Sequence, residues 1–155
     1  MPKIDVAAVG EKRGCGYPAP FDRPCAPRAW KSLGDAAGLT QFGVNLCTLP
    51  PGAWSSQRHW HELEDEFVHV LTGELVLVTD AGEEILRPGD CAGFKAGVAD
   101  GHCLRNQGDR VATFLAIGTR DAADSGGYSD IDLRFTPTGF TRKDGTPYYT
   151  SRLKF

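Results

Sequence analysis

Between residues 28 and 119 the chain breaks into short apolar or alternating runs, each cut off by a turn signal, and this rhythm points to a sheet protein. The runs cover residues 39–49, 55–61, 66–72, 74–79, 83–86, 90–94, 102–106 and 111–117. Between them stand Thr72-Gly73-Glu74, Asp80-Ala81-Gly82, Pro88-Gly89-Asp90 and Gln107-Gly108-Asp109. Each puts Gly or Asp where a tight reversal needs unusual backbone angles. Strands this close in sequence are expected to pair antiparallel. No segment of convincing length carries a helical period, and no internal repeat or low-complexity tract is present.

The flanks differ from this body. Residues 1–27 hold Pro18, Pro20, Pro24 and Pro27, which break any long element, so they read as an irregular arm laid over the body. Residues 120–155 form a polar, Gly-rich tail with two strand-like pieces, 128–133 and 148–153, expected to pack on the body. At 155 residues the chain suits one domain with a real core. A net charge of −3 gives no electrostatic reason to expect a nucleic-acid partner. The first residues lack the apolar run of a signal peptide, and no stretch approaches the roughly 20 apolar residues that span a bilayer. The expectation is therefore a cytoplasmic protein without membrane or nucleic-acid partners. Five cysteines, an odd number without C-x-x-C spacing, suggest reduced thiols in core or loops.

Chemistry concentrates in a few side chains. His59 and His61 alternate with Trp60, so on a strand the two imidazoles share a face and the indole takes the other. Glu66 follows on the next run and His102 lies on a distant one. Together they make a three-nitrogen, one-oxygen set suited to a divalent transition metal such as iron, manganese, zinc or nickel. His69 falls on the opposite face of its strand from Glu66 and reads as a surface or interface residue. Trp54 and Trp60 read as packing. Gln57 shares parity with the two histidines and is the candidate for binding and orienting a substrate.

Residues 52–73, GAWSSQRHWHELEDEFVHVLTG, resemble the first motif of the cupin superfamily: a glycine, then H-x-H, then a glutamate, then a glycine after six more residues. Residues 89–106, GDCAGFKAGVADGHCLRN, resemble the second. The resemblance implies an all-β double-stranded β-helix, or jelly-roll, barrel over residues 28–119 with a metal inside its wider mouth. It assigns His59, His61 and Glu66 from the first motif and His102 from the second as ligands. Glu66 is preferred to Asp65 because six residues separate it from Gly73. Glu62 and Glu64 fall in the intervening loop, as solvated groups or partners of the ligands.

The second motif departs from the pattern. Lys95 stands where a proline is usual, and residues 98–101 separate Gly97 from His102 where two residues are expected. Asp100 thus occupies the nominal ligand position. His102 is favoured over it because three residues separate His102 from Asn106, and Asp100-Gly101 reads as an inserted turn.

Two functions fit. One is a metal-dependent enzyme of isomerase, lyase or dioxygenase type acting on a small oxygenated substrate, such as a sugar, sugar acid or oxygenated carboxylic acid, with Glu66 as a candidate proton carrier. The other is a metal-dependent small-molecule binding or sensing module without catalysis; no helix-turn-helix accompanies it. An arm and tail around a small barrel with sheet edges to cover also suggest a homodimer.

Overall fold

The computed structural model describes residues 3–148. Thirteen strands follow in order: β1 (Glu11–Arg13), β2 (Ala29–Ser32), β3 (Phe42–Leu49), β4 (His59–His61), β5 (Glu66–Thr72), β6 (Leu75–Thr79), β7 (Gly82–Leu86), β8 (Cys91–Phe94), β9 (Cys103–Arg105), β10 (Ala112–Thr119), β11 (Gly126–Tyr128), β12 (Arg134–Thr136) and β13 (Gly139–Thr141). The described helices are one α turn, α1 (Leu33–Ala36), and a 3-10 turn, Arg23–Cys25. None is long and apolar enough to cross a membrane.

Each of the runs expected between 28 and 119 carries a strand, and all the described pairings are antiparallel. The run at 55–61 yields only β4. Ser55 to Gln57 are occupied elsewhere: the Ser55 N–H donates to the Leu104 carbonyl, the Ser55 hydroxyl accepts from the Leu104 N–H, and Ser56 and Gln57 both meet the His59 ring.

One face of the barrel is a six-stranded sheet in the order β1-β2-β3-β10-β5-β8. The other consists of a four-stranded sheet, β13-β12-β11-β4, and a three-stranded sheet, β7-β6-β9. An isolated bridge between His59 and His102 joins these two smaller sheets. The core fills the space between the layers. Val68, Val70 and Phe114 come from the large sheet and Leu75, Leu77 and Leu104 from the three-stranded one, all buried in one cluster. The alternation of sides along β5 and β10 is what a sheet with one buried face requires.

Both flanks depart from the sequence expectation. The arm is not wholly irregular: β1 pairs with β2 through Glu11↔Lys31 and Arg13↔Ala29, adding an edge strand to the large sheet. The tail is not merely packed on the barrel, because β11 pairs with β4 through Gly126↔His61 and Tyr128↔His59. Its strands flank the piece expected at 128–133, where the chain turns and the Leu133 N–H donates to the Ile131 carbonyl. The piece expected at 148–153 lies outside the described residues apart from Tyr148.

The approach of β11 to β4 needs glycine. A Cβ on Gly126 would lie 2.0 Å from the Trp60 carbonyl oxygen and 2.5 Å from the Phe135 ring, and one on Gly127 would lie 2.9 Å from the Trp60 indole nitrogen. The Trp60 carbonyl is part of the β4–β11 ladder and cannot retreat without opening it.

Gly126→Ala should therefore cost about 1–3 kcal/mol of stability through overpacking. Leu75, fully buried in the central cluster, should cost about 2–5 kcal/mol when cut to Ala. Urea denaturation of the two variants against the parent chain checks both figures.

Candidate metal centre

The four side chains of the expected ligand set come together in the barrel. Glu66 Oε2 lies 3.3 Å from His59 Nε2, 3.3 Å from His61 Nε2 and 2.8 Å from His102 Nε2. Parity supplies the first pair, since β4 turns His59 and His61 to one side while Trp60 lies against Gly127 on the other. The third imidazole arrives by backbone pairing. His59 and His102 exchange N–H···O=C bonds of 3.2 and 3.0 Å, which sets the second motif directly against the first.

Each ring is held by a different device. The Nδ1–H of His59 donates to the Gln57 carbonyl at 3.0 Å, with the Ser56 hydroxyl at 3.1 Å. The Nδ1–H of His61 donates to Asp124 Oδ2 at 2.6 Å. His102 instead lies flat on Phe94, ring centroids 3.5 Å apart and planes 2° from parallel. With Nδ1 protonated in the neutral ring, Nε2 of His59 and of His61 presents a lone pair toward Glu66.

Glu66 Oε2 is buried, yet none of its three imidazole contacts has hydrogen-bond geometry. A buried carboxylate oxygen without a donor is costly. His59, His61 and Glu66 form a group whose ligand atoms could meet one cation, with His102 joined to it through its 2.8 Å contact with Glu66, and an N3O set of this kind is chemically suited to a divalent transition ion. The nearest atoms of His59, His61 and Glu66 all lie within 4.8 Å of one another.

The electrostatics pull the members apart. Burial would raise the Glu66 carboxyl, but the imidazoles of His102, His59 and His61 hold it well below the usual carboxylate range. Burial likewise favours the neutral form of His61, yet Glu66 and Asp124 outweigh it and push the ring up to about 9. At His102 burial wins, and the ring's pKa falls. A metal ion would displace the proton from His61, because ligating imidazoles must be neutral.

Asp124 was not legible in the sequence. It is buried, its Oδ1 accepts the Leu63 N–H at 2.9 Å, and its Oδ2 takes the His61 ring. Both oxygens being committed, it orients His61 from behind, and Glu64, 3.9 Å from the same nitrogen, adds a further carboxylate. Burial raises the Glu64 carboxyl. The sequence signal for Asp124 was weak: one Asp among several in a tail where no strand had been expected before residue 128.

Other residues fall elsewhere. Asp100 points at the neighbouring turn, where its Oδ1 accepts the Asp80 N–H at 2.8 Å and lies 4.0 Å from Arg58. His69 is on the outer face of β5, with Nδ1 3.0 Å from Cys91 Sγ. Glu62 pairs with Arg134. Gln57 corrects the expectation for a substrate-orienting residue: its Nε2 donates to the Phe21 carbonyl at 2.8 Å, tying the arm to the barrel. The parity rule fails there because Gln57 precedes the regular part of β4.

A cavity of about 340 Å³ opens beside the cluster, reached by His59, Glu66 and His102. Its polar wall includes Tyr17, Arg28 and Asn45, and Val68, Phe94 and Phe114 contribute apolar surface. The arm therefore supplies part of the cavity wall.

Residues 45–118 match the family model of the cupin domain, Cupin_2. A sugar phosphate isomerase of the cupin superfamily from Silicibacter pomeroyi DSS-3 is 46% identical, with 99% of this chain and 100% of that chain covered and a TM-score of 0.90. A putative sugar phosphate isomerase from Acidithiobacillus ferrooxidans ATCC 23270 is 32% identical over 83% of each chain, with a TM-score of 0.71. A predicted oxalate decarboxylase from Thermotoga maritima is 20% identical, covering 76% of this chain and 97% of that one at a TM-score of 0.62, a likeness of fold alone. Curated proteins offer no match.

In a titration with divalent metal, Asp100→Asn should take up metal as the parent chain does. Asp124→Asn should weaken uptake by about ten- to a hundredfold, the usual consequence of losing a carboxylate behind a ligating imidazole. Competition with a chelating dye measures both.

Proposed function

The chain belongs to the cupin superfamily, and from that premise we propose that it is a metal-dependent enzyme of isomerase or lyase type acting on a small, sugar-like molecule with neighbouring oxygens. His59, His61, Glu66 and His102 hold one divalent transition ion. The observation that carries this reading is the buried Glu66 oxygen, faced by three imidazole nitrogens and bonded to none of them. Such an ion, when bound, supplies Lewis-acid polarisation of a substrate carbonyl or hydroxyl.

The chain's own residues do the rest. Ser56 and the Gln57 carbonyl fix His59, Asp124 fixes His61, and Phe94 fixes the plane of His102, so the set is held before substrate arrives. The depressed proton affinity of Glu66 keeps it ionised at neutral pH, which suits a ligand better than the proton carrier its sequence position suggests. Tyr17, whose hydroxyl burial keeps protonated, stands on the cavity wall as a hydrogen-bond donor. The volume suits a molecule of hexose size. Isomerase chemistry is favoured over oxygen chemistry because the two relatives matched over most of their length carry the name sugar phosphate isomerase.

The test is metal content together with turnover. His59→Ala and Glu66→Ala should each remove most bound metal, whereas His69→Ala should keep it, as read by elemental analysis. Loaded parent protein should gain melting temperature from aldoses or ketoses and interconvert one of them, and metal-stripped protein should do neither. Metal-dependent stabilisation without product would make the chain a sensing module instead.

A further inference from the structure

We infer that Arg28 is the anchor for an anionic group on the substrate, so that the cavity selects a sugar-like molecule bearing a phosphate or a carboxylate; this rests on the proposed metal-dependent reading of the same cavity. Among the described residues that line the cavity, Arg28 is the one that carries a guanidinium or ammonium group. Its Nε donates to the Gly14 carbonyl at 2.8 Å and its Nη1 to the Ser55 carbonyl, and no described residue bonds its Nη2 end.

No described carboxylate pairs with it. Like Arg23, Arg105, Arg110 and Arg142, and unlike Arg13, Arg58, Arg87, Arg120 and Arg134, it makes no ion pair among the described residues, and of the unpaired five it is the one on the cavity wall. Around it stand the Trp30 ring, 5.1 Å from the guanidinium carbon, and the groups of Tyr17, Tyr128, Cys15, Cys25 and Cys47, on which its charge acts; of these the Cys15 thiol is lowered, first by its contact with Cys25 and further by Arg28. A guanidinium on a cavity wall, held in place by two backbone carbonyls and paired with no described Asp or Glu, is a cation free to meet an anionic guest.

The two functional ends are linked through one short segment. The Ser55 carbonyl takes the guanidinium, and the next residue, Ser56, touches the His59 ring. With a divalent ion on Glu66 the cavity would carry about +2, which a neutral sugar does not balance and a phosphate or carboxylate does. The Nη2 end carries two N–H donors, and a phosphate or carboxylate oxygen can accept from it.

Glucose, glucuronate and glucose 6-phosphate test this, because the anionic group stands at the same end of one ring. Affinities are measured by calorimetry for parent, Arg28→Met and Arg28→Lys, each with zinc and after chelation. The parent should prefer at least one of the charged probes to glucose by about tenfold or more. Arg28→Met should erase that preference, bringing the charged probes to the level of glucose in the same variant, and Arg28→Lys should keep part of it, since the ammonium keeps the charge. Which probe gains identifies the anion. Should Arg28→Met fail to fold, Arg28→Lys and the parent's salt response decide, since rising salt should weaken the charged probe and spare glucose.

Equal affinity of the parent for all three probes, or a preference that survives Arg28→Met, overturns the inference. A preference seen with and without zinc, in a chain that takes up no metal, would uphold Arg28 while removing the metal-dependent reading.

Discussion

The antiparallel bridge between His59 and His102 is the contact on which the site depends. Its two backbone bonds join the smaller sheets of the barrel and place imidazoles from distant parts of the sequence side by side, ring centroids 4.7 Å apart. Without it, β4 would still aim His59 and His61 at Glu66, but the third nitrogen would have no fixed approach. Because His102 immediately precedes β9, which pairs with β6, its backbone is constrained from both directions. Barrel closure and site assembly are thus one event.

The second motif shows why the bridge matters more than motif spacing. Two extra residues before His102 shift Asp100 into the nominal ligand position, yet the backbone pairing keeps His102 opposite His59. The surplus is taken up in the turn held by Arg58, which donates to the Gly101 carbonyl and pairs with Asp80 and Asp130. Register in a sheet is set by pairing, so an insertion is absorbed where pairing stops.

The barrel strands were readable because alternation and turn chemistry agree in residues 28–119, and the four clustered side chains because period-two parity and motif spacing point to the same positions. Gln57 was misplaced because parity was carried past the end of the regular strand. Asp124, Tyr17 and Arg28 could not be found this way. They lie just before strands of three or four residues or on a segment that has none, and their role depends on long-range pairing that leaves no local period. The tail strand β11 is mostly glycine, chosen for the close approach to Trp60, so the residue that makes the pairing possible also hides it from pattern reading.

This division has a consequence for specificity. The residues proposed to hold the ion all fall within 45–118, the stretch shared with the cupin domain family, whereas Tyr17, Arg28 and Asp124 fall outside it. The cluster of His59, His61, Glu66 and His102 thus sits in the barrel, whereas Asp124 in the tail holds His61 from behind, and Tyr17 in the arm and Arg28 at the start of the barrel line the cavity. A relative at 20% identity informs about fold and leaves the guest open. Likeness over 99% of the chain includes the segments that carry Arg28 and Asp124. For that reason the proposed substrate class leans on the full-length relatives and on the unpaired guanidinium, and the ion on the barrel alone.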